Sequence, residues 1–377
     1  MKCVLTCSLH LFTYNETLGS NNDSNSNSNS NSNSNSNSNS NSNSNSNSNN
    51  NNNNKKKKKK NKMTIPQTFK QAVFKSAGAP LVIEEAPLTP PGPNEILVKV
   101  EACGVCFSDV FAQNNVMGGG FPIVPGHEII GRVAAVGDNV SGWTVGDRIG
   151  GGWHGGHDDA EYCLLNPEAA VRVPSHVPAA KYAPILCAGV SVFNSIRHMN
   201  IPVGETVAIQ GLGGLGHLAI QYANKMGYRV VAISRDASKE KFVRELGAHE
   251  FIDASREDDV GVALQKKQLG GVSLVISTAP TAEVISPLLK GLGILGKLLI
   301  LSVPGELPVD TVTMLKYGLS VQVWPSGHAT DSEDAIAFTE LHEIHCMVEE
   351  FPLEKANEAF EAMLKGSVRF RAVITME

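Results

Sequence analysis

The sequence has no long run of apolar residues, and this absence bears on where the protein can work. Nowhere in the 377-residue chain are 18 consecutive residues apolar, so we expect no membrane-spanning helix. Residues 1–14 are mildly apolar, contain one lysine and lead to no small-residue cleavage site, a pattern that does not match a signal peptide. These features predict a cytoplasmic protein without a signal peptide or a membrane span.

The pattern of a disulfide framework is also absent. The chain has seven cysteines, at positions 3, 7, 103, 106, 163, 187 and 346, and their spacing is not that of disulfide-stapled domains. Unpaired cysteines are typical of reducing compartments. Hydrophobic residues make up 42% of the chain and charged residues 18%, as in globular proteins. We therefore expect a reduced, globular protein.

The chain lacks an excess of positive charge. It has 32 lysine and arginine residues against 37 aspartate and glutamate residues, a net charge of −5. Eight of the lysines lie in residues 1–62, so the remainder is strongly acidic and is not expected to bind nucleic acid. The lysine run at 55–60 could contact nucleic acid or an anionic membrane, or act as a nuclear signal. A solvated extension is the favoured interpretation.

Residues 1–62 lack any apolar periodicity. Serine and asparagine alternate over residues 24–49, and further asparagines and the lysine run follow. Because such a segment cannot bury apolar area, it is predicted to be a disordered tail. The rest of the chain is long enough for two domains.

A glycine-rich loop carries the clearest motif. Residues 210–217 read Gln-Gly-Leu-Gly-Gly-Leu-Gly-His, between a β-branched run at 206–209 and a helical pattern that leads to an apolar strand at 229–233. This order is typical of the dinucleotide-binding unit, in which the helix N-terminus faces the phosphates. In such a unit the three glycines permit a tight turn, close approach of the pyrophosphate and close packing of helix on strand. The candidate cofactor-binding residues are Gly211, Leu212, Gly213, Gly214, Leu215 and Gly216.

Two different patterns divide the rest of the chain. From residue 63, glycine and proline punctuate short strands at 70–84, 95–102, 129–136, 148–150 and 161–165, which predicts an irregular β-rich region. From about residue 194, apolar strands alternate with helical patterns, and a helix capped by Ser238 is predicted to end at Gly247. Six parallel strands of a doubly wound sheet are predicted near residues 206, 230, 251, 274, 298 and 321.

The pattern changes again after residue 324. A helical face closed by Gly366 precedes an alternating strand from Val368 to Ile374. The simplest interpretation returns this strand to the β-rich region, so that the dinucleotide domain is an insertion. The predicted organisation is a tail at 1–62, a first catalytic part at 63–193, a dinucleotide domain at 194–324 and a return to the catalytic domain at 325–377.

Three segments of the β-rich region contain candidate metal ligands. The first holds Cys103 and Cys106, the second holds His127 followed by Glu128, and the third holds Cys187. One cysteine, one histidine and a second cysteine form the Cys₂His set of a catalytic zinc with an open fourth position. Each residue alone would more often be a buried cysteine or a surface histidine. The Cys-x-x-Cys spacing lacks the context of a redox motif.

Together, these three segments and the glycine loop closely resemble the zinc-dependent alcohol dehydrogenases of the medium-chain dehydrogenase/reductase superfamily. The resemblance extends from about Thr68 to Ile374. It implies an α/β fold, in which a Rossmann domain with a doubly wound parallel sheet is inserted into a GroES-like, β-rich catalytic domain. It also implies a zinc-dependent transfer of hydride between an alcohol or aldehyde and NADP(H) or NAD(H), in a homo-oligomer.

The resemblance assigns roles to the residues of the metal segments. It implies that Cys106, His127 and Cys187 are the zinc ligands and that Glu128 approaches the metal during ligand exchange. Asp109 would orient the histidine. A zinc ion in this setting acts as a Lewis acid that lowers the pKa of the bound alcohol.

Further roles and two departures follow from the same resemblance. Ser108 would take the alcohol proton, Ser191 would lie beside the nicotinamide, and Arg369 would pair with the cofactor phosphates. Phe107 occupies a position that usually holds histidine or arginine, and Phe111 replaces a relay histidine of many family members. Proton release from Ser108 would then pass through the ribose, water or another group.

The four-cysteine lobe that holds a structural zinc in many family members is missing. Only residues 151–160 separate the two flanking strands, and none of them is a cysteine. Either a natural deletion or a truncated gene model would give this pattern. His154, His157 and Cys163 could form a replacement site, but three ligands on a short glycine-rich loop do not favour one. We expect a catalytic zinc and no structural zinc.

The residues after the second Rossmann strand favour NADP(H) over NAD(H). Ser234 stands where an acidic residue would accept the ribose hydroxyls of NAD, and the cations Arg235 and Lys239 follow. A hydroxyl with two cations suits a 2′-phosphate. In the alternative interpretation, the two cations are solvated and Asp236 binds the ribose.

Two other functions remain open from the sequence. One is a non-catalytic, regulatory nucleotide-binding protein, which the missing lobe and Phe111 would suit. The other is a zinc-free quinone or enoyl reductase of the same superfamily. Retention of Cys106, His127, Cys187 and Ser108 favours a zinc-dependent alcohol dehydrogenase or aldehyde reductase that acts on a small-molecule substrate.

Overall fold

The computed structural model describes residues 65–153 and 159–376, and all statements below refer to these residues. The predicted tail, His154 and His157 lie outside them. The strands are β1 Thr68–Phe74, β2 Leu81–Pro87, β3 Ile96–Val105, β4 Ile129–Val136, β5 Arg148–Gly151, β6 Tyr162–Leu165, β7 Ala170–Arg172, β8 Thr206–Gln210, β9 Arg229–Ser234, β10 Glu250–Asp253, β11 Val272–Ser277, β12 Leu292–Ile300, β13 Ser320–Val323, β14 Val348–Pro352 and β15 Arg371–Thr375. The helices are α1 Asp109–Gln113, α2 Ala179–Tyr182, α3 Ala188–His198, α4 Gly216–Lys225, α5 Glu240–Glu245, α6 Val260–Lys267, α7 Ala282–Ile285, α8 Thr311–Tyr317, α9 Ala329–Leu341 and α10 Ala356–Leu364.

The first sheet is built around β3. Its strands follow the order β14-β15-β3-β4-β5-β7, and β6 also pairs with β3. All of its pairings are antiparallel except that of β14 with β15. Ile96, Val98 and Val100 of β3 are buried, so this strand lies at the centre of the sheet's core. The pairing of β3 with β4 places Cys103 opposite Ile129.

The β1–β2 hairpin corrects one expectation. A single strand over residues 70–84 is wrong, because the chain turns between Phe74 and Leu81 and forms two antiparallel strands. Gly78 has a positive φ of 70° in this turn, a conformation that a residue with a side chain rarely adopts.

The second sheet is a six-stranded parallel sheet. Its order is β10-β9-β8-β11-β12-β13, and every neighbouring pair is parallel. This order confirms the predicted doubly wound sheet. The strand order reverses between β8 and β11, so the glycine loop after β8 lies at the topological switch point, where such sheets bind their ligands.

The last strand completes the first sheet. β15 pairs with β3 on one side and with β14 on the other, which confirms that the chain leaves the first sheet, forms the second and returns. The boundaries at residues 193/194 and 324/325 stay predictions.

One core cluster connects the two sheets. Val190 and Ile196 of α3 pack in the same buried cluster as Val207 and Ile209 of β8, and Ile336 of α9 belongs to it as well. The two sheets therefore share part of their apolar core around α3.

The cap before α5 also differs from the prediction. Ser238 is not the capping acceptor: the carboxylate of Asp236 accepts from the backbone N–H of Ser238. Gly247 follows the helix with a positive φ of 104°, in the expected position. Among the described helices, none is long and apolar enough to cross a membrane.

Candidate active site

Four side chains from separate parts of the chain converge beside the first sheet. Single ligand atoms of Cys106, His127, Glu128 and Cys187 all lie within 4.8 Å of one another. The Sγ atoms of Cys106 and Cys187 are 4.0 Å apart. Tetrahedral zinc with Zn–S bonds of about 2.3 Å requires an S···S separation of about 3.8 Å. The Cys₂His set therefore fits a zinc ion.

Strand pairing explains this convergence. Cys106 directly follows β3, and His127 and Glu128 directly precede β4, its antiparallel neighbour. The backbone N–H of Gly104 donates to Glu128 O at 3.0 Å, which brings the ends of the two strands together. Cys187 immediately precedes α3. Each candidate ligand thus lies next to a regular element that fixes its backbone.

Asp109 orients both a candidate ligand and its backbone. Its Oδ1 lies 3.1 Å from Nδ1 of His127, and its Oδ2 accepts from the backbone N–H of Cys106 at 2.8 Å. Burial lowers the pKa of His127, but the Asp109 carboxylate outweighs burial and holds that pKa well above its usual value. Nε2 of His127 is left to face the thiols. The edge of Trp153 packs on the same imidazole, with the ring centroids 4.9 Å apart.

The Ser108 hydroxyl lies among the candidate ligands. Its Oγ donates to Cys106 Sγ at 3.1 Å and is 3.2 Å from Nε2 of His127. The hydrogen bond with Cys187 lowers the pKa of the Cys106 thiol well below its usual value, and the His127 and Arg371 charges act in the same direction. The same hydrogen bond and burial raise the pKa of Cys187.

Glu128 forms a buried ion pair that no local sequence pattern indicates. Its Oε1 accepts from Nη2 of Arg371, and both side chains are buried. Burial raises the pKa of Glu128 to about 7, while the Arg371 charge opposes this shift. A Cβ on Gly104 would overlap Oε2 of Glu128, so a glycine at this place in β3 makes room for the carboxylate.

Arg371 also reaches the glycine loop. Its Cδ lies 2.7 Å from the place that a Cβ on Gly214 would take. The side chain therefore connects the metal cluster with the dinucleotide motif. An arginine within the otherwise apolar strand 371–375 was the available signal. The assignment of Arg369 to the cofactor phosphates stays a prediction, and in the structure the Arg369 backbone N–H donates to Glu349 at 2.7 Å.

The glycine loop has the geometry that its three spaced glycines suggest. Gly211 has a φ of 96°, and a Cβ on it would overlap Thr278 Oγ1. A Cβ on Gly216 would overlap the Gly211 carbonyl oxygen. No atom lies within 4 Å of the place of a Cβ on Gly213. The loop is therefore tightly packed at both ends and open at Gly213, whereas Gly214 lies against Arg371. The leucines at 212 and 215 pack against the core.

Comparison with known proteins places the chain in a family. The model of the alcohol dehydrogenase GroES-like domain matches residues 92–188, and that of the zinc-binding dehydrogenase matches residues 214–340. The chain is 64% identical to the alcohol dehydrogenase patD of Penicillium expansum over 340 residues, which cover 83% of this chain and 99% of the relative. The chain belongs to the zinc-type alcohol dehydrogenases of the medium-chain dehydrogenase/reductase superfamily. It is an NAD(P)-dependent oxidoreductase that acts on a small-molecule substrate.

More distant relatives agree with this alcohol dehydrogenase assignment. An alcohol dehydrogenase of Geobacillus stearothermophilus is 32% identical over 338 residues, which cover 82% of this chain and 99% of the relative. The solved cinnamyl alcohol dehydrogenase of Sorghum bicolor superposes with a TM-score of 0.73 at 25% identity, over 82% of this chain and 97% of that one. The fold therefore persists where the sequences have diverged widely.

In this alcohol dehydrogenase, the residues predicted to choose the cofactor lie at the end of β9. Ser234 is buried, Arg235 is exposed and Lys239 is half-buried. Oδ1 of Asp236 accepts from the backbone N–H of Ser238 at 3.0 Å and from its hydroxyl at 2.6 Å. These hydrogen bonds lower the pKa of Asp236, so this carboxylate is already engaged in the turn before α5.

The predicted nicotinamide neighbour of this dehydrogenase has a serine partner. Ser191 Oγ donates to Ser326 Oγ at 2.9 Å. Ser326 adopts a positive φ of 79°, and its carbonyl accepts from the side chains of Asn194 and Trp324 at 3.0 and 2.9 Å. Nothing in the local sequence indicated Ser326, because its contact with α3 joins residues far apart in the chain.

Proposed function

We propose that this dehydrogenase holds one zinc ion with Cys106, His127 and Cys187 and interconverts alcohols and aldehydes, with NADP(H) as the favoured coenzyme. The observation that carries the proposal is the convergence of these three ligand atoms and the Ser108 hydroxyl at one point. A binding protein or a zinc-free reductase would have no use for this combination of thiols, imidazole and hydroxyl.

The proposed chemistry divides the work between the metal and the protein. Bound zinc supplies Lewis-acid chemistry that lowers the pKa of an alcohol. Ser108 Oγ takes the alcohol proton. Asp109 holds the proton of His127 on Nδ1, which keeps Nε2 free to bind the metal. Phe111 provides no proton acceptor, so the proton leaves Ser108 through the ribose or water.

Glu128 is proposed to assist ligand exchange at the metal. Its Oε1 lies 3.9 Å from Nε2 of His127, so the carboxylate would be next to an ion held by that histidine. The Arg371 guanidinium balances its charge in the buried site. Without that partner, an ionised carboxylate at full burial would be costly.

The proposal for NADP(H) rests on charge at the end of β9. Ser234 offers no carboxylate that would repel a 2′-phosphate, and Arg235 and Lys239 offer two cations. Asp236, the alternative acceptor for an NAD ribose, already accepts two hydrogen bonds from Ser238. After the hydrogen bonds from Ser238, the charge of Arg369 also lowers the pKa of Asp236. Arg369 is therefore a third cation near this part of the surface.

We also propose that the chain holds no structural zinc. The alignment with the Penicillium expansum relative is 340 positions long, but it contains only 83% of the 377 residues of this chain. Because 83% of 377 is fewer than 340, the relative has residues that this chain lacks. Cys163, one candidate for a replacement site, is buried in β6 and packs in the core of the first sheet. A core position does not suit a ligand on a surface lobe.

A homo-oligomer is the proposed assembly. β13 is an edge strand of the parallel sheet. Six exposed apolar side chains lie on β13, on α8 and on or just after β12, and we call them the edge patch. The edge patch comprises Ile294, Leu295, Val303, Val312, Leu315 and Val323. A second copy would bury them and cover the edge. The reduced thiols of Cys103, Cys106, Cys187 and Cys346 support a reducing compartment, for which we propose the cytoplasm.

Zinc analysis combined with a coenzyme comparison tests the proposed function. We expect one zinc per chain by atomic emission, and faster reduction of a panel of aldehydes with NADPH than with NADH. Absence of zinc in active protein would contradict the metal assignment. Two zinc ions per chain would contradict the absence of a structural site. Preference for NADH would contradict the cofactor assignment alone.

Light scattering after gel filtration tests the assembly. Leu315→Lys combined with Val323→Lys places two charges in the edge patch and should lower the measured mass towards that of one chain. Leu341→Lys, at an equally exposed leucine on α9, is the matched control and should leave the mass unchanged. An unaltered oligomer in the double variant would show that another surface holds the copies together.

A further inference from the structure

His217 is a buried histidine that none of the roles above uses. It lies in the first turn of α4, directly after the glycine loop, and its side chain is fully buried. Nδ1 is 3.0 Å from the Gly213 carbonyl oxygen, and Nε2 is 3.3 Å from the backbone nitrogen of Met347. A carbonyl needs a donor and an N–H needs an acceptor, so the imidazole is neutral with its proton on Nδ1. Burial lowers the pKa of His217 to about 4, which agrees with a neutral ring.

The hydrogen bond from Nδ1 fixes one peptide unit of the glycine loop. The Gly213 carbonyl accepts from Nδ1 and also from the backbone N–H of His217 at 3.1 Å. In a planar trans peptide the C=O and the following N–H point in opposite directions. Because the Gly213 carbonyl points into α4, the Gly214 N–H points away from the helix. An N–H in that direction is a donor for a phosphate at the helix N-terminus.

The second nitrogen and the face of the ring attach the loop to the returning segment of the chain. Met347 lies just before β14, and Phe370 lies just before β15. The rings of His217 and Phe370 are stacked, with centroids 4.9 Å apart and an interplanar angle of 20°. Phe370 in turn contacts Phe242 of α5 at 5.4 Å. One imidazole therefore joins the glycine loop to the strands that complete the first sheet.

From this geometry we propose that His217 is a positioning residue for the dinucleotide: its Nδ1–H holds the Gly213–Gly214 peptide with the Gly214 N–H facing the pyrophosphate, and its Nε2 anchors the loop to Met347. The proposal rests on the coenzyme site of the proposed function. It assigns the two nitrogens different effects: Nδ1 acts on coenzyme affinity, and Nε2 acts on the attachment of the loop.

Two isosteric substitutions separate the two nitrogens. The side-chain nitrogen of asparagine overlies Nδ1, so His217→Asn keeps a donor for Gly213 and loses the acceptor for Met347. The side-chain oxygen of glutamine reaches the place of Nε2, so His217→Gln keeps the acceptor and loses the donor. Gln221, one turn further along the same helix, is the matched control. Its side-chain amide donates to the His345 carbonyl at 3.0 Å and accepts from the His345 backbone N–H at 2.9 Å. Gln221→Leu removes an attachment to the same segment, and with it the hydrogen bond from Gln221 Nε2 to the His217 carbonyl at 3.0 Å, but leaves both ring nitrogens of His217 with their partners.

The readout is the dissociation constant of NADPH, from titration of its fluorescence in the absence of substrate, together with zinc content and melting temperature. His217→Gln should weaken NADPH binding about tenfold, the loss expected for one hydrogen bond. His217→Asn should change it less than about threefold, and Gln221→Leu should lower the melting temperature with unchanged affinity. All three should keep the zinc content of the wild type.

Several outcomes would overturn the proposal. Wild-type affinity in His217→Gln is one, and an equal loss in Gln221→Leu is another, since it would show a general effect of stability. If His217→Gln does not fold, ¹⁵N-histidine NMR of the wild type decides, with the His217 signals identified by their loss in His217→Asn. A proton on Nε2, or no response to NADPH, contradicts the assignment. Failure of the wild type itself to bind NADPH or NADH would instead refute the proposed function.

Discussion

A cysteine binds zinc as a thiolate, whereas a serine hydroxyl stays protonated near neutral pH. We therefore predict that Cys106→Ser or Cys187→Ser loses the zinc and lowers turnover at least a thousandfold. The matched control is Cys346→Ser, because Cys346 is also buried and free but belongs to no ligand cluster among the described residues. Zinc content and aldehyde reduction measured on the same preparations check the prediction. Full activity in a zinc-free Cys106 variant would show that the metal is not needed.

The end of β9 gives a second test of single residues. If Arg235 binds a 2′-phosphate, Arg235→Ala removes a charge-assisted contact of about 1.5–3 kcal/mol and should raise the KM for NADPH about 10- to 100-fold. The KM for NADH should hardly change. Ser234→Asp should invert the preference, since it repels the phosphate and offers the NAD ribose an acceptor.

Asp236→Ala separates the two interpretations of this turn. In the NADP(H) interpretation, Asp236 only accepts the hydrogen bonds from Ser238. Its loss should therefore affect stability more than the KM for NADH. Damage confined to NADH use, together with a silent Arg235→Ala, would favour the alternative in which Asp236 binds the ribose. Steady-state kinetics with both coenzymes distinguish the outcomes.

Residue types and spacing were enough to single out the candidate ligands, but not their second partners. Cys106, His127 and Cys187 could be selected because few residue types bind zinc and each lay in a distinctive segment. The ion pair of Glu128 with Arg371 joins residues 243 positions apart, and no local pattern announces such a contact. Arg369 and Arg371 lie two residues apart, and only the start of β15 shows which of them reaches Gly214.

The glycine loop makes a prediction at the scale of one element. A Cβ on Gly213 meets no atom within 4 Å, while a Cβ on Gly216 overlaps the Gly211 carbonyl. Gly213→Ala should therefore keep the melting temperature of the wild type within about 2 °C, yet weaken NADPH binding, because the methyl group occupies space that the pyrophosphate approaches. Gly216→Ala should lower the melting temperature by several degrees, as expected for a substitution that costs about 1 kcal/mol or more.

Calorimetry and coenzyme titration on the two alanine variants check this contrast. Equal melting temperatures for both would contradict the packing described for Gly216. Unchanged NADPH affinity in Gly213→Ala would contradict the placement of the pyrophosphate at the open side of the loop.

Strands and helices were predictable where the hydrophobic period continued through the whole element, and less so where a turn interrupted it. The six parallel strands were found because each is a short apolar run between helical patterns. The β1–β2 hairpin was missed because both strands and the turn at Gly78 read as one extended segment. The cap of the turn before α5 depended on two nearby polar residues, Asp236 and Ser238, either of which can accept from a backbone N–H.

For the whole molecule, the neutral state of His217 predicts how stability depends on pH. Burial lowers the pKa of His217 to about 4 in the folded protein, from 6.5 for an ordinary histidine. Between these values the unfolded chain binds the proton and the folded protein does not, so stability falls as pH decreases through this window. The loss is about 1.4 kcal/mol per pH unit and about 3 kcal/mol in total.

His217→Asn removes this titration. The midpoint of urea unfolding should therefore fall less between pH 6.5 and 4.5 in the variant than in the wild type, although the variant is less stable at pH 7. Parallel pH profiles for the two proteins would show that His217 is protonated in the folded state or exposed to water.

The placement of β15 has a consequence for how the protein is made. β3, β4 and the six-stranded parallel sheet leave the ribosome long before residues 371–375. Residues 102–105 of β3 nevertheless pair with β15. Until the final residues are released, residues 102–105 of the apolar strand β3 lack their partner on the edge whose residues 96–99 pair with β6. The inserted sheet already has all six of its strands by then. Translation that stops before β15 would thus yield a chain with a formed nucleotide fold and a bare strand edge, a substrate for chaperones or for aggregation.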